Sequence, residues 1–309
     1  MRRLSGKRLI AMTDPLLKKM ELLQQIEIVE VAPRDGLQML PQFVPTAAKV
    51  ELIKNLRAAG FKRIEAAAFV SPKHVPNMAD AAAVMQAVGK TENSATMALA
   101  LNEKGLLRAI DAQPDWICYV IAATETMSQK NAHTTIADGI KMVRRAADLA
   151  HQNNIKLRGS ISVTWVCPYE GDVPPARVLE ITEQLVAAQV DEIAFNDTVG
   201  KAAPNDVFEL CQNARNLFPE MQFAGHFHDT YDLGLTNIYA ALTTGFTVFD
   251  TAAGGLGGCP FAPGASGNVA TEKVVEMFER MKIETGIDRE KLKLVALAVK
   301  GLAGAKQSV

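Results

Sequence analysis

Two histidines flank one phenylalanine in "AGHFHDTY" (224–231). Side chains alternate faces along an extended strand, so His226 and His228 project to the same side. Neighbouring imidazoles at a strand end suit a divalent cation, although a lone histidine more often serves structure. Other groups able to share such chemistry are scattered along the chain. "APRDGLQ" (32–38) offers Arg34 and Asp35, with Gly36 permitting a tight turn. "RIEAAAF" (63–69) sets Glu65 in an apolar run, where an unpaired charge is costly. Arg34 is its natural partner, and the pair could equally do no more than hold the fold together. In "FNDTVG" (195–200), Asp197 and Thr198 either cap the next helix or face a site. "AAGGLGGCPFAPGASGNVATE" (252–272) carries six glycines and two prolines before a helix expected to begin near Asn268. Such a loop turns sharply or lets a ligand approach backbone. Cys259 inside it is either a small residue in a tight loop or a proton carrier on a mobile flap.

Asp35, His226, His228 and Asn268 together supply one carboxylate, two imidazoles and an amide oxygen. That mixed set suits an octahedral cation such as Mg²⁺ or Mn²⁺, with positions left open for a ligand, and Zn²⁺ less well.

These residues need a scaffold that gathers them. Eight β-rich segments fit: 26–32, 63–70, 94–100, 116–123, 156–165, 191–196, 222–228 and 246–252. Most are nearly continuous apolar runs, as buried parallel strands should be. Amphipathic stretches separate them; Thr46 and Thr135 look like N-caps, and Gly60 ends the first helix. The alternation predicts an α/β (β/α)8 TIM barrel, whose site lies at the C-terminal strand ends. A doubly wound open sheet is the second choice, but no GxGxxG follows the first strand. Residues 283–309 read as an extra C-terminal helix with a Gly/Ala-rich polar end. The domains expected are an N-terminal extension (1–25) and a single barrel (26–309).

Composition narrows the field. The 309 residues carry a net charge of −1, which argues against a nucleic-acid or membrane-surface partner. No apolar run reaches membrane-spanning length. The cysteines (Cys118, Cys167, Cys211, Cys259) are far apart, which fits a reducing, cytoplasmic setting. The basic start "MRRLSGKRLIAM" reads as an unstructured extension or an upstream start before Met12; read as a transit peptide, it would imply the mitochondrial matrix.

The motifs "EVAPRDGLQ" (30–38), "FVSPKHVPNMAD" (69–80), "GHFHDTY" (225–231) and "GGLGGCPFAPGASGNVATE" (254–272) resemble the 3-hydroxy-3-methylglutaryl-CoA lyases. The resemblance spans roughly residues 26–285, with motifs in the same order. It implies cleavage of 3-hydroxy-3-methylglutaryl-CoA to acetyl-CoA and acetoacetate, and with it a place in leucine catabolism. It implies metal ligands at Asp35, His226, His228 and Asn268, an enolate-stabilising arginine at Arg34, and further catalytic residues at Glu65, Asp197 and Cys259. "LNEKG" (101–105, with Asn102 and Lys104) and "TETMSQKN" (124–131) fall near the thioester and the CoA arm, as does Gln38. The chemistry suits these types: a tertiary hydroxyl is deprotonated with metal help, and a thioester enolate needs a fixed cation. Asp35 or His226 can take the first proton; His226 or Cys259 can return one to carbon.

The chain departs from the family pattern at Asn196 and Asp232 (both usually glycine), at His74 (tryptophan) and Asn77 (glutamine), and at Ala66–Ala68 after Glu65. These lie in or near the pocket, so a citramalyl- or methylmalyl-type thioester is an alternative substrate. A Claisen-condensing synthase and a non-catalytic barrel are further alternatives. A surplus terminal helix suggests a homodimer.

Overall fold

The computed structural model describes residues 26–257 and 267–304. Eight parallel strands close into a barrel: β1 Glu27–Glu30, β2 Arg63–Ala68, β3 Ala95–Ala100, β4 Trp116–Ala122, β5 Lys156–Ser162, β6 Glu192–Asp197, β7 Phe223–Phe227 and β8 Val248–Thr251. Each pairs with its sequence neighbours, and β1 closes on β8 with Glu27 opposite Val248 and Glu30 opposite Thr251. This is the expected (β/α)8 architecture, and every predicted strand is present.

Helices cover the outside: α1 Thr46–Ala58, α2 Ala81–Val88, α3 Glu103–Asp111, α4 Glu125–Ala132, α5 Ile136–Gln152, α6 Pro175–Ala187, α7 Pro204–Leu217, α8 Gly234–Thr244, α9 Thr271–Arg280 and α10 Arg289–Gly304. The outward strand positions supply the core between the layers, including Ile28, Ile64, Ile117, Leu157, Ile193, Phe195, Phe223 and Phe249. Helix α5 buries Val143, Ala146, Ala147 and Ala150 against this layer, and Thr135 caps it by accepting the Asp138 amide at 3.1 Å. Among the described residues no helix is long and apolar enough to cross a membrane.

Four local expectations fail for physical reasons. Thr46 is not a cap: Pro45 precedes the helix, and Thr46 Oγ1 donates to Asp80 Oδ2 at 2.7 Å. Strand β5 ends at Ser162, because Val163 takes φ 51° and turns the chain into a small hairpin (Val166–Cys167 with Gly171–Asp172). The last loop does not become helical near Asn268; Asn268 and Ala270 bridge to His228 and Ala252, and α9 begins at Thr271. Gly36 serves close packing rather than a tight turn: a Cβ there would lie 2.9 Å from Leu256 Cδ2.

Candidate active site

At the C-terminal mouth, β1 runs directly into a π-helical turn, Ala32–Gly36, that carries Arg34 and Asp35. Buried Glu30 anchors this turn. Its Oε1 accepts the amides of Ala32 and Ala253, each at 2.9 Å, and its Oε2 accepts Thr271 Oγ1 at 2.8 Å. One carboxylate thus ties β1, the start of the glycine-rich loop and α9 together.

Arg34 lies between two acids. Nε donates to Glu65 Oε2 at 2.5 Å, Nη2 pairs with the same oxygen, and Nη1 donates to Asp35 Oδ1 at 2.5 Å. The expected Arg34–Glu65 pair is therefore formed. Gln38 Nε2 donates to Asp35 Oδ1 and Asn268 Nδ2 to Asp35 Oδ2, both at 2.7 Å. The His226 and His228 rings lie 5.2 Å apart on one face. Asp35, His226 and His228 each offer a ligand atom, all within 4.8 Å of one another.

The electron pairs available there fit a cation. Buried His228 Nδ1 and Asn268 Oδ1 have no hydrogen-bond partner, an arrangement costly unless something accepts their lone pairs. Burial and the nearby His226 lower the His228 pKa to about 4, which leaves the imidazole neutral and able to ligate. Burial alone would raise the Asp35 carboxyl, but Arg34 and the two histidines outweigh it and bring it down to about 2. Burial raises the Glu65 carboxyl, and Arg34 offsets this only in part. Burial likewise pushes the Cys118 thiol to about 12, so it supplies no thiolate to the barrel interior.

The other expected residues fall into place unevenly. Both oxygens of Asp197 accept backbone amides, from Lys201 and Ala202 at 3.1 Å each, so it caps the turn before α7. Burial raises its pKa to about 6 against those amides. Asn102 caps α3 by accepting the Gly105 amide at 2.9 Å, and Lys104 is exposed on the same helix start. Both sit on the mouth side but outside the cluster. Cys259 lies outside the described residues. Asn196 is in register with His226, and its Nδ2 donates to Ser160 Oγ at 2.9 Å. Asp232 adopts φ 59°, a conformation that favours glycine. Asn77 is a structural pin, accepting the Val44 amide and donating to Leu40 O, whereas His74 is exposed.

Sequence reasoning missed a column of buried charge beneath the mouth. Arg63 grips Glu192 through both terminal nitrogens, at 3.0 and 2.9 Å, and also reaches Glu27. Arg158 Nε donates to Glu192 Oε1 at 2.5 Å, and Nη1 reaches both oxygens of Asp250 at 2.8 Å. Asp250 Oδ2 lies 3.3 Å from His226 Nδ1. Each of these residues interrupts an apolar strand, which is the signal that could have found them.

The HMGL-like family model matches residues 25–299. A Pseudomonas aeruginosa protein described as a 3-hydroxy-3-isohexenylglutaryl-CoA/hydroxymethylglutaryl-CoA lyase is 39% identical over 88% of this chain and 91% of its own. The crystal structure of an HMG-CoA lyase from Brucella melitensis superposes with a TM-score of 0.88 at 41% identity, covering 91% of this chain and 99% of that one. An Acinetobacter baumannii HMG-CoA lyase, solved with coenzyme A and 3-methylmalate, gives 0.86 at 38% identity, covering 91% and 92%. With a family model spanning most of its length, the chain belongs to the HMGL-like family.

Proposed function

We propose that this chain is a divalent-metal-dependent lyase that cleaves 3-hydroxy-3-methylglutaryl-CoA to acetyl-CoA and acetoacetate. The observation that carries this reading is the guanidinium of Arg34, clamped between Glu65 and Asp35 beside the Asp35–His226–His228 cluster. The similarity to lyases from several organisms supports the same reaction.

Asp35, His226, His228 and Asn268 hold the cation, and their oxygen and nitrogen donors favour Mg²⁺ or Mn²⁺ over Zn²⁺. When bound, a divalent cation lowers the pKa of an alcohol placed against it. The C3 hydroxyl proton passes to His226 or Asp35. The C2–C3 bond then breaks, C3 becomes the ketone of acetoacetate, and the electron pair moves into the thioester as an enolate. Arg34, held in position by Glu65, directs its remaining N–H groups at the enolate oxygen. Protonation at C2, by His226 or by Cys259 from the glycine-rich loop, yields acetyl-CoA. Asp197 completes the proposed catalytic set by fixing the turn beside His226. In this reading Gln38, Asn102 and Lys104 line the approach for the thioester and CoA arm; acyl-CoA binding itself is supported by the coenzyme A in the Acinetobacter baumannii structure.

Residues 26–309 would form a single barrel catalytic domain after an extension at 1–25, with the exposed Leu294 and Leu297 of α10 as the seam of a homodimer. A monomeric mass in solution would remove that assignment. A cytoplasmic location accords with three buried thiols left free. The mature N-terminus of the native protein tests it against the mitochondrial alternative.

A second reading keeps the chemistry and changes the acyl group. It rests on the polar Asn196–Ser160 pair beside His226 and on the larger substrate in the Pseudomonas aeruginosa relative's description. One experiment tests both. The protein is stripped with a chelator, Mg²⁺ or Mn²⁺ is restored, and 3-hydroxy-3-methylglutaryl-CoA is followed to products by mass spectrometry. Metal-dependent acetoacetate supports the first reading; intact substrate with metal bound overturns it in favour of another branched 3-hydroxyacyl-CoA.

A further inference from the structure

We propose that Asp250 is a positioning residue: it fixes the His226 ring so that Nε2 faces the cation, and Arg158 holds Asp250 in place for this. The inference rests on the metal reading above and concerns residues outside the cluster itself.

A carboxylate only accepts hydrogen bonds, so an imidazole facing it must donate. Asp250 Oδ2 lies 3.3 Å from Nδ1 of His226, with both groups buried. The ring proton therefore belongs on Nδ1, and Nε2 keeps its lone pair as the ligand atom that His226 offers to the cluster with Asp35 and His228. The carboxylate cannot swing away, because Arg158 Nη1 contacts both of its oxygens at 2.8 Å. Arg158 is anchored from below in turn: its Nε donates to Glu192, which Arg63 grips through two nitrogens.

Charge counting separates this role from simple neutralisation of Arg158. Glu192 already meets Arg158, and Glu27 meets Arg63. Each arginine of the column has an acid without Asp250. The additional carboxylate lies at the top of the column, where its other neighbour is His226. Register reinforces the point: Asp250 and His226 are directly paired on β8 and β7, so the two side chains enter the lumen at one level.

Two variants separate positioning from structure. Asp250→Asn is isosteric but offers an N–H to Nδ1, which drives the ring proton onto Nε2. Arg158→Met removes the cation and leaves the carboxylate on the ring. Mn²⁺ affinity is read by electron paramagnetic resonance and melting temperature by calorimetry. Asp250→Asn should weaken Mn²⁺ binding about 10- to 100-fold with little loss of melting temperature. Arg158→Met should lose more melting temperature than Asp250→Asn but less Mn²⁺ affinity, under about 10-fold, because the loosened carboxylate can still accept from Nδ1. Wild-type Mn²⁺ affinity in Asp250→Asn, or affinity losses that simply track melting temperature in both variants, would overturn the proposal. Should Asp250→Asn fail to fold, the ¹⁵N-histidine spectrum of Mg²⁺-loaded wild type decides: a proton on Nδ1 of His226 supports the assignment, and one on Nε2 refutes it. Wild type that binds no Mn²⁺ would overturn the metal reading and this inference with it, a result distinct from all the others.

Discussion

Arg34→Met removes the cation assigned to the enolate and nearly preserves side-chain volume. A guanidinium has five N–H groups. Three of them face Glu65 and Asp35 through Nε, Nη1 and Nη2, which leaves two for a substrate oxygen. The side chain is 11% exposed, so it opens towards the mouth. Losing one fixed donor to a developing oxyanion costs about 2.7–4 kcal/mol, or roughly 10²–10³ in kcat. The fold should survive with reduced stability, because Glu65, only 1% exposed, loses its cation. The sign of the pH effect follows from Glu65. Its folded-state pKa is already raised by burial, and without Arg34 it rises further. At low pH both folded and unfolded chains hold the proton, so there is no penalty. As pH rises the unfolded chain ionises first, and the deficit grows by about 1.4 kcal/mol per unit until the folded group ionises too. Arg34→Met should therefore be further below wild type at pH 8 than at pH 5 in urea denaturation. Product formation under saturating Mn²⁺ gives kcat, and a parallel Mn²⁺ titration separates metal loss from transition-state loss. Full turnover would refute the assigned role, and so would a defect that excess Mn²⁺ repairs.

His228→Ala should abolish Mn²⁺ binding, read by electron paramagnetic resonance, while circular dichroism stays unchanged; retained affinity would exclude His228 as a ligand. Glu30, fully buried with its pKa raised to about 7, gives wild type a stability that falls as pH climbs from about 4.5 to about 7. The integrated loss is about 3 kcal/mol, since the folded group holds its proton over that window and the unfolded one does not. Glu30→Gln should flatten this slope in urea denaturation at pH 5 and 7.5; an identical slope would mean other groups cause it. Asn196→Gly removes the amide that lies on Ser160 beside His226. It should raise the kcat/KM ratio for substrates with longer C3 substituents over 3-hydroxy-3-methylglutaryl-CoA by about 10-fold, the scale of one or two methylenes in a pocket. An unchanged ratio would move the acyl wall elsewhere.

The barrel was legible because its signal is repetitive. Eight buried strands must be apolar on both faces, and that leaves continuous Val/Ile/Leu/Phe/Ala runs at regular intervals. Once the barrel is assigned, strand ends become site positions, and Arg34, Asp35, Glu65 and the two histidines follow. What failed depended on contacts between distant residues. Thr46 has the chemistry of a cap, but Asp80 from the next loop claims its hydroxyl. Gly36 looks like a turn residue, and only the approach of Leu256 reveals why a side chain is excluded. Arg158 and Asp250 are visible as interruptions in their strands, yet their pairing depends on barrel register. Arg158 lies level with Glu192 and Asp250 with His226, and no periodicity argument within one strand yields that.

The buried charges also bear on why a cation should be held at the mouth. The carboxylates of Glu192, Asp250, Glu65 and Asp35 meet the guanidiniums of Arg63, Arg158 and Arg34, while Glu27 at the base is a third exposed to water. Four acids against three bases leave a negative charge in a lumen where ions are expensive to hold unpaired. Beside His226 and His228, lone pairs on buried nitrogen and oxygen have no donor. A cation there offsets the surplus acid and meets those lone pairs. The enolate adds one further negative charge during turnover, and at that moment the unused N–H groups of Arg34 matter most. Structure and chemistry thus draw on one set of ions: the pairs that keep buried carboxylates tolerable also hold the histidine, the aspartate and the arginine at fixed angles around the reacting oxygen.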